Sequence, residues 1–127
     1  VAEAKQFAEE TGVDALAVAI GTAHGNYTAK PQLRIDRLKE INAAVDCPLV
    51  LHGGTGLTDD DFHNCLANGI QKINIATASY DASARKIKEV YEADNNANYF
   101  DFSNAIVEGT YNNVVKHMKI FGLEQKA

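Results

Sequence analysis

The sequence predicts an α/β fold in which consecutive βα units build a parallel sheet. Short apolar runs of strand length at residues 14–20, 48–51 and 70–75 alternate with amphipathic stretches of helical period. The first two runs are almost free of polar residues, as in strands covered on both faces. Units of about 25 residues joining such strands require right-handed crossovers within one parallel sheet.

Each element has its own signal. Ala4, Phe7 and Ala8 recur at helical spacing among Lys and Glu, and Gly12 stops this first helix. Asp14 to Ile20 reads as a buried strand, with Gly21, His24 and Gly25 in the loop at its carboxyl end. Pro31 and Gln32 lead into a helical stripe of Leu33, Ile35, Leu38, Ile41 and Val45, which ends before Pro48. The run Pro48-Leu49-Val50-Leu51 is the second strand, and it delivers His52 to the turn Gly53-Gly54-Thr55-Gly56.

Thr58 followed by Asp59, Asp60 and Asp61 marks a capped helix start, with Phe62, Cys65 and Leu66 as its apolar face and Gly69 as its stop. The third strand, 70–75, alternates more than the others. A long helix is expected over 77–91 with Tyr80, Ala84, Ile87 and Tyr91 on its inner face and Lys86, Lys88 and Glu89 outward. After a polar break at 94–98, a last helix carries Phe102, Ile106, Tyr111, Val114, Val115, Met118 and Phe121 and closes at Gly122. Three strands are too few for a closed barrel, and an open sheet of that size leaves its edges uncovered. A further half is therefore expected, either in the same polypeptide or from a partner, and the opening at Val1 within helical sequence agrees with a fragment.

Composition narrows the function. With 127 residues, 46% of them hydrophobic, the chain matches one modest domain and can bury a core. A net charge of −5, a pI near 5.3 and no basic stripe argue against nucleic acid and anionic membranes as partners. Any phosphate must be held by local amides. The longest apolar runs are too short to span a bilayer and no signal-peptide pattern opens the chain, so a soluble, cytoplasmic protein is expected. Cys47 and Cys65 lack CxxC spacing and read as buried free thiols.

The chemistry-bearing residues gather at one predicted edge. His24 and His52 close successive strands, each followed by Gly, at the edge where α/β folds bind ligands. They are either half of a metal site or structural, hydrogen-bonded histidines. Asn74 near the end of the third strand and Thr77 at the next helix start can bind a polar substrate and a phosphate together with Gly53, Gly54 and Thr55. Plain capping by Thr77 is the alternative. Lys72 raises the option of a Schiff base, but lies early in its strand, away from that edge. His63 and His117 fall on polar helix surfaces, and Tyr99, Phe100 and Phe102 read as packing residues.

At these residues the sequence resembles the class II, metal-dependent fructose- and tagatose-bisphosphate aldolases. The matching stretches are Ala17-Val18-Ala19-Ile20-Gly21-Thr22-Ala23-His24-Gly25, Pro48-Leu49-Val50-Leu51-His52-Gly53-Gly54-Thr55-Gly56 and Gly69-Ile70-Gln71-Lys72-Ile73-Asn74-Ile75-Ala76-Thr77. The resemblance implies that residues 1–127 are the C-terminal half of such an enzyme, about three βα units plus a C-terminal helix of a (β/α)8 TIM barrel. It implies a cytoplasmic lyase of carbohydrate metabolism and glycolysis, commonly a homodimer or homotetramer, acting on a phosphorylated sugar.

By the same resemblance, His24 and His52 are two of three Zn2+-binding histidines. Zinc polarises the ketone of dihydroxyacetone phosphate and stabilises the enediolate that attacks an aldehyde. Gly25, Gly53, Thr55, Asn74 and Thr77 fall on positions that hold the phosphate and the ketose end, and a monovalent cation (Na+ or K+) often sits beside the phosphate. The third zinc histidine and the catalytic aspartate belong to an earlier strand, so this chain holds no catalytic residue of its own and is expected to be inactive alone. Ala76 replaces an aspartate of many fructose-bisphosphate aldolases, which favours the tagatose-type branch, whereas Ala78 and Ser79 stand where that branch has an acid. The rivals are a noncatalytic phosphate-binding or assembly subunit of the same pattern, and an isomerase or class I aldolase on the same barrel.

Overall fold

The computed structural model describes residues 1–29 and 31–123. The elements follow in the expected order: α1 (Ala2–Thr11), β1 (Leu16–Ala17), α2 (Ile35–Ala44), β2 (Leu49–Leu51), α3 (Asp59–Ala67), β3 (Ile70–Ile73), α4 (Thr77–Ala93) and α5 (Tyr99–Ile120). They form two compact units, Val1–Ile75 and Ala76–Ala127.

In the first unit the sheet is parallel in the order β1-β2-β3. Leu16 pairs with Leu49 and Ala17 with Val50, while Leu49, Val50 and Leu51 face Ile70, Lys72 and Ile73 with a register shift after Leu49. The central strand β2 is buried throughout, and Leu38, Ile41, Phe62 and Cys65 from α2 and α3 complete the core. Each such fully buried Leu, Ile or Phe contributes about 1.5–3 kcal/mol of transfer free energy. Burial, with the Asp61 charge adding to it, pushes the Cys65 thiol up to about 11. Both cysteines are free, Cys65 buried and Cys47 half-buried.

The expected strand at residues 14–20 is reduced to β1, and it is not covered on both faces, because Ala17 and Ala19 are exposed and only Ile20 is buried. Ala17 and Ala19 share one face of the chain, and among the described residues no layer packs over it, whereas Leu16, Val18 and Ile20 on the opposite face are at least half-buried. Caps follow the sequence signals. Gly12 ends α1 in the left-handed region, its N–H donating to the Ala8 carbonyl. Thr58 and Asp61 form a reciprocal capping box at the start of α3.

The second unit is a helical hairpin, and its packing departs from the expected large-residue stripes. Tyr80, Ala84 and Tyr91 of α4 are exposed, as are Tyr99, Phe100, Ile106, Tyr111, Val114 and Met118 of α5. The buried positions are Ser83, Ala105 and Gly109. A Cβ on Gly109 would lie 2.7 Å from the Ala82 carbonyl oxygen and 2.8 Å from the Ser83 Cα, so the two backbones approach too closely for any side chain. Ser83 Oγ exploits that approach, lying within hydrogen-bond reach of the Ser79 carbonyl (3.0 Å), the Ile106 carbonyl (3.2 Å) and Thr110 Oγ1 (2.8 Å). Asn113 Nδ2 donates to Ser79 Oγ at 3.0 Å. Lys86 turns partly inward to pair with Glu108 at 2.9 Å, a bond that raises its pKa.

Gly109→Ala should therefore destabilise the protein by about 1–3 kcal/mol through overpacking, despite the roughly 1 kcal/mol that Ala gains over Gly in helix propensity. Urea unfolding followed by circular dichroism measures this, and an unchanged or raised midpoint would contradict the close approach of α4 and α5.

Candidate functional site

His52 follows the last residue of β2 directly and stands at the carboxyl edge of the sheet, half-buried. His24 arrives differently. It lies seven residues beyond the end of β1, and it is an exposed loop residue rather than a strand-end one. The two rings nevertheless meet, with centroids 5.4 Å apart and planes inclined by 25°.

Three contacts bring the His24 loop to His52. Arg34 N–H donates to the Ile20 carbonyl at 2.8 Å and closes the base of the loop. At Gly53 the backbone passes so near Ala23 that a Cβ would lie 2.3 Å from the Ala23 carbonyl oxygen, and its φ of 69° independently favours glycine. Tyr27 then joins both segments: its hydroxyl accepts from the Ala23 N–H at 3.0 Å and donates to the Gly53 carbonyl at 2.6 Å. Periodicity gives no sign of this tyrosine, because its partners are backbone atoms, one of them in a distant turn. The signal present is a lone aromatic with a polar tip inside a loop of small residues.

Asn74 is carried to the same place by the sheet. Its N–H donates to the Leu51 carbonyl at 3.0 Å, continuing the β2–β3 pairing one residue beyond β3. Its Nδ2 lies 2.9 Å from His52 Nε2. Lys72 shares the strand face of Asn74, two residues earlier, and its ammonium donates to Asn74 Oδ1. Its place in the sequence puts Lys72 away from this edge, and the structure corrects that expectation for the side chain. The long aliphatic stem spans the intervening distance along the strand, so the charged end reaches the edge although the backbone does not.

The turn after His52 is tightly fitted. Gly54 is buried, where a Cβ would lie 2.8 Å from Ile75 Cδ1 and 3.0 Å from the Phe62 ring, and Thr55 is buried. The Leu57 N–H donates to the Gly54 carbonyl at 3.2 Å. Gly25 is less confined: it has φ 89°, and a Cβ there would meet nothing within 4 Å. The first unit thus gathers His24, Gly25, His52, Gly53, Thr55 and Asn74 on the loops and strand ends of one sheet edge. Thr77 belongs to the second unit, as the first residue of α4. It is not the cap: Ala76 holds that position and makes no side-chain cap bond. His63 is exposed, and half-buried His117 has Nδ1 2.8 Å from the Asn113 carbonyl oxygen within its own helix. Among the described residues, no group of three or more His, Cys, Asp or Glu is arranged to hold a metal ion. No helix among them is long and apolar enough to cross a membrane.

The parallel sheet thus carries two imidazoles, an amide and a glycine turn at its carboxyl edge, the edge at which α/β folds place their ligands. Residues 1–126 match the family described as fructose-bisphosphate aldolase class-II, and the chain belongs to that family. It is 37% identical over 125 residues to the uncharacterized protein YdjI of Escherichia coli (strain K12), across 98% of this chain and 44% of that protein. The crystal structure of the YdjI aldolase from Escherichia coli K12 superposes with a TM-score of 0.86 at 33% identity, covering 99% of this chain and 45% of that one. A putative fructose-1,6-biphosphate aldolase from Coccidioides immitis gives 0.88 at 29% identity, covering 98% and 43%. The chain therefore spans less than half the length of the relatives it matches, and corresponds to their C-terminal half. The α/β architecture expected from the sequence, a C-terminal set of βα units, agrees with these superpositions.

Removing the Tyr27 hydroxyl should loosen the junction of the two histidine loops. In Tyr27→Phe, amide hydrogen exchange at Ala23 should accelerate about five- to tenfold, the equivalent of about 1 kcal/mol for one hydrogen bond. Unchanged exchange at Ala23 would show that the hydroxyl does not join the loops.

Proposed function

We propose that this chain supplies part of the active site of a zinc-dependent aldolase that cleaves and re-forms a ketose (bis)phosphate, yielding dihydroxyacetone phosphate and an aldehyde. The observation that carries the reading is the convergence of His24 and His52, set within the family match. Two imidazoles bonded to one tetrahedral zinc at about 2.0–2.1 Å have ring centres about 5 Å apart, and the observed 5.4 Å is close to that. His24 and His52 would hold the ion, whose chemistry when bound is Lewis-acid polarisation of the ketose carbonyl. A catalytic zinc takes three protein ligands and keeps an open position, so in this reading a further ligand and the proton-transferring carboxylate come from sequence beyond these residues.

The chain's own residues bind and orient. Gly25, Gly53 and Thr55 are assigned to the phosphate, whose charge suits backbone amides in an acidic chain with no basic patch. Asn74 offers an amide to the polar ketose end, and Thr77, the first residue of α4, is assigned to the same substrate through its backbone N–H. The buried Gly54–Thr55 backbone keeps that turn in one conformation, so little entropy is lost when an anion is bound. The absence of an acid at Ala76 favours a substrate nearer the tagatose type. A bound monovalent cation, assembly as a dimer or tetramer, a cytoplasmic setting and one barrel domain incorporating residues 1–127 belong to the same proposal.

In the full-length protein, His24→Ala should lose both stoichiometric zinc and at least about a hundredfold in aldol cleavage, as removal of a metal ligand or its support does. Metal analysis and a coupled cleavage assay on the same preparation decide this. Retention of both would overturn the assignment.

A further inference from the structure

The chain Lys72–Asn74–His52 constrains more than position. An ammonium group has donors only, so the Asn74 atom facing Lys72 must be the amide oxygen. That orientation turns the Asn74 NH2 group toward His52, 2.9 Å from Nε2. An amide NH2 also has donors only. His52 must then present a lone pair at Nε2, and as a neutral ring it carries its proton on Nδ1.

We infer that Lys72 is a positioning residue that locks the Asn74 amide and, through it, fixes the His52 tautomer, so that metal binding at His52 has to break this arrangement. The tautomer lock stands on the hydrogen bonds alone, whereas its consequence for metal rests on the reading of His52 as a ligand given above. A histidine bound to metal through Nδ1 carries its proton on Nε2 and needs an acceptor there. Asn74 satisfies that need only by turning its oxygen to His52, which presents its NH2 to Lys72 and breaks their bond. Binding through Nε2 instead requires Asn74 to leave the ring altogether. On either route Lys72 opposes the ion and favours the ordered, Asn74-bound ring.

The lock is of modest strength, because Lys72 is exposed to solvent. Its removal should be well tolerated for the same reason, and Lys72→Met preserves the apolar stem. Lys72→Arg retains a donor-only group and should retain the lock.

The test uses full-length protein labelled with 15N-histidine at one fixed pH, with the folded state verified by its amide spectrum. Wild type and Lys72→Arg should show His52 predominantly with Nδ1 protonated, and Lys72→Met should show a mixture shifted toward Nε2–H. Zinc titration should give about three- to fivefold tighter binding in Lys72→Met than in wild type, with Lys72→Arg unchanged. An identical His52 tautomer in Lys72→Met and wild type overturns the role of Lys72, as does equal or weaker zinc binding in Lys72→Met. If zinc binds neither protein while the tautomer shifts, the lock is upheld and the metal assignment of His52 fails.

Discussion

The close passage of the Gly53 backbone beneath Ala23 is the constraint on which the rest of the site depends. His24 lies on an exposed loop seven residues beyond a two-residue strand, and this close passage brings that loop against the turn after His52. The approach is possible only because residue 53 lacks a side chain, and the Tyr27 hydroxyl then satisfies one donor and one acceptor from the two segments at once. Tyr27 therefore bonds to both of the segments that carry the two imidazoles, which belong to different βα units. On the other side of His52, Asn74 and Lys72 fix the ring from the third strand. His52 is held from both neighbours, and His24 from one.

Much of this is legible from residue order. Strand-length apolar runs, the Thr58–Asp61 capping box and the Gly12 stop identify elements whose local physics is self-contained, and the structure places them as expected. The same holds for the gathering of His52, the glycine turn and Asn74, because consecutive parallel strands carry their carboxyl ends to one edge. What residue order does not reveal depends on contacts remote in the chain. The Tyr27 hydroxyl meets a carbonyl 26 residues away. The reach of Lys72 depends on side-chain length rather than backbone position.

The helical hairpin shows a different limit. Periodicity correctly marks α4 and α5 as helices and picks out their large apolar stripes, because those residues carry the hydrophobic signal, but it does not identify where the two helices come closest. The most deeply buried positions are Ser83, Ala105 and Gly109, and at Gly109 the missing side chain lets the two backbones come together and Ser83 bond across the gap. Close approach is a property of what is missing from a side chain, and hydropathy does not register it. Of the large apolar residues on the same helices, Tyr80, Tyr91, Ile106, Tyr111, Val114 and Met118 are exposed, whereas Ile87, Phe102, Val115 and Phe121 are half-buried.

The central claim is that His24 and His52 converge in order to share one ion. The most direct measurement is a crystal structure of the zinc-loaded full-length protein with data collected on both sides of the zinc absorption edge. One anomalous peak is expected within about 2.0–2.1 Å of a ring nitrogen of His24 and of His52 together. A fully occupied zinc peak bound to other residues, with the two rings left outside its coordination sphere, would contradict it.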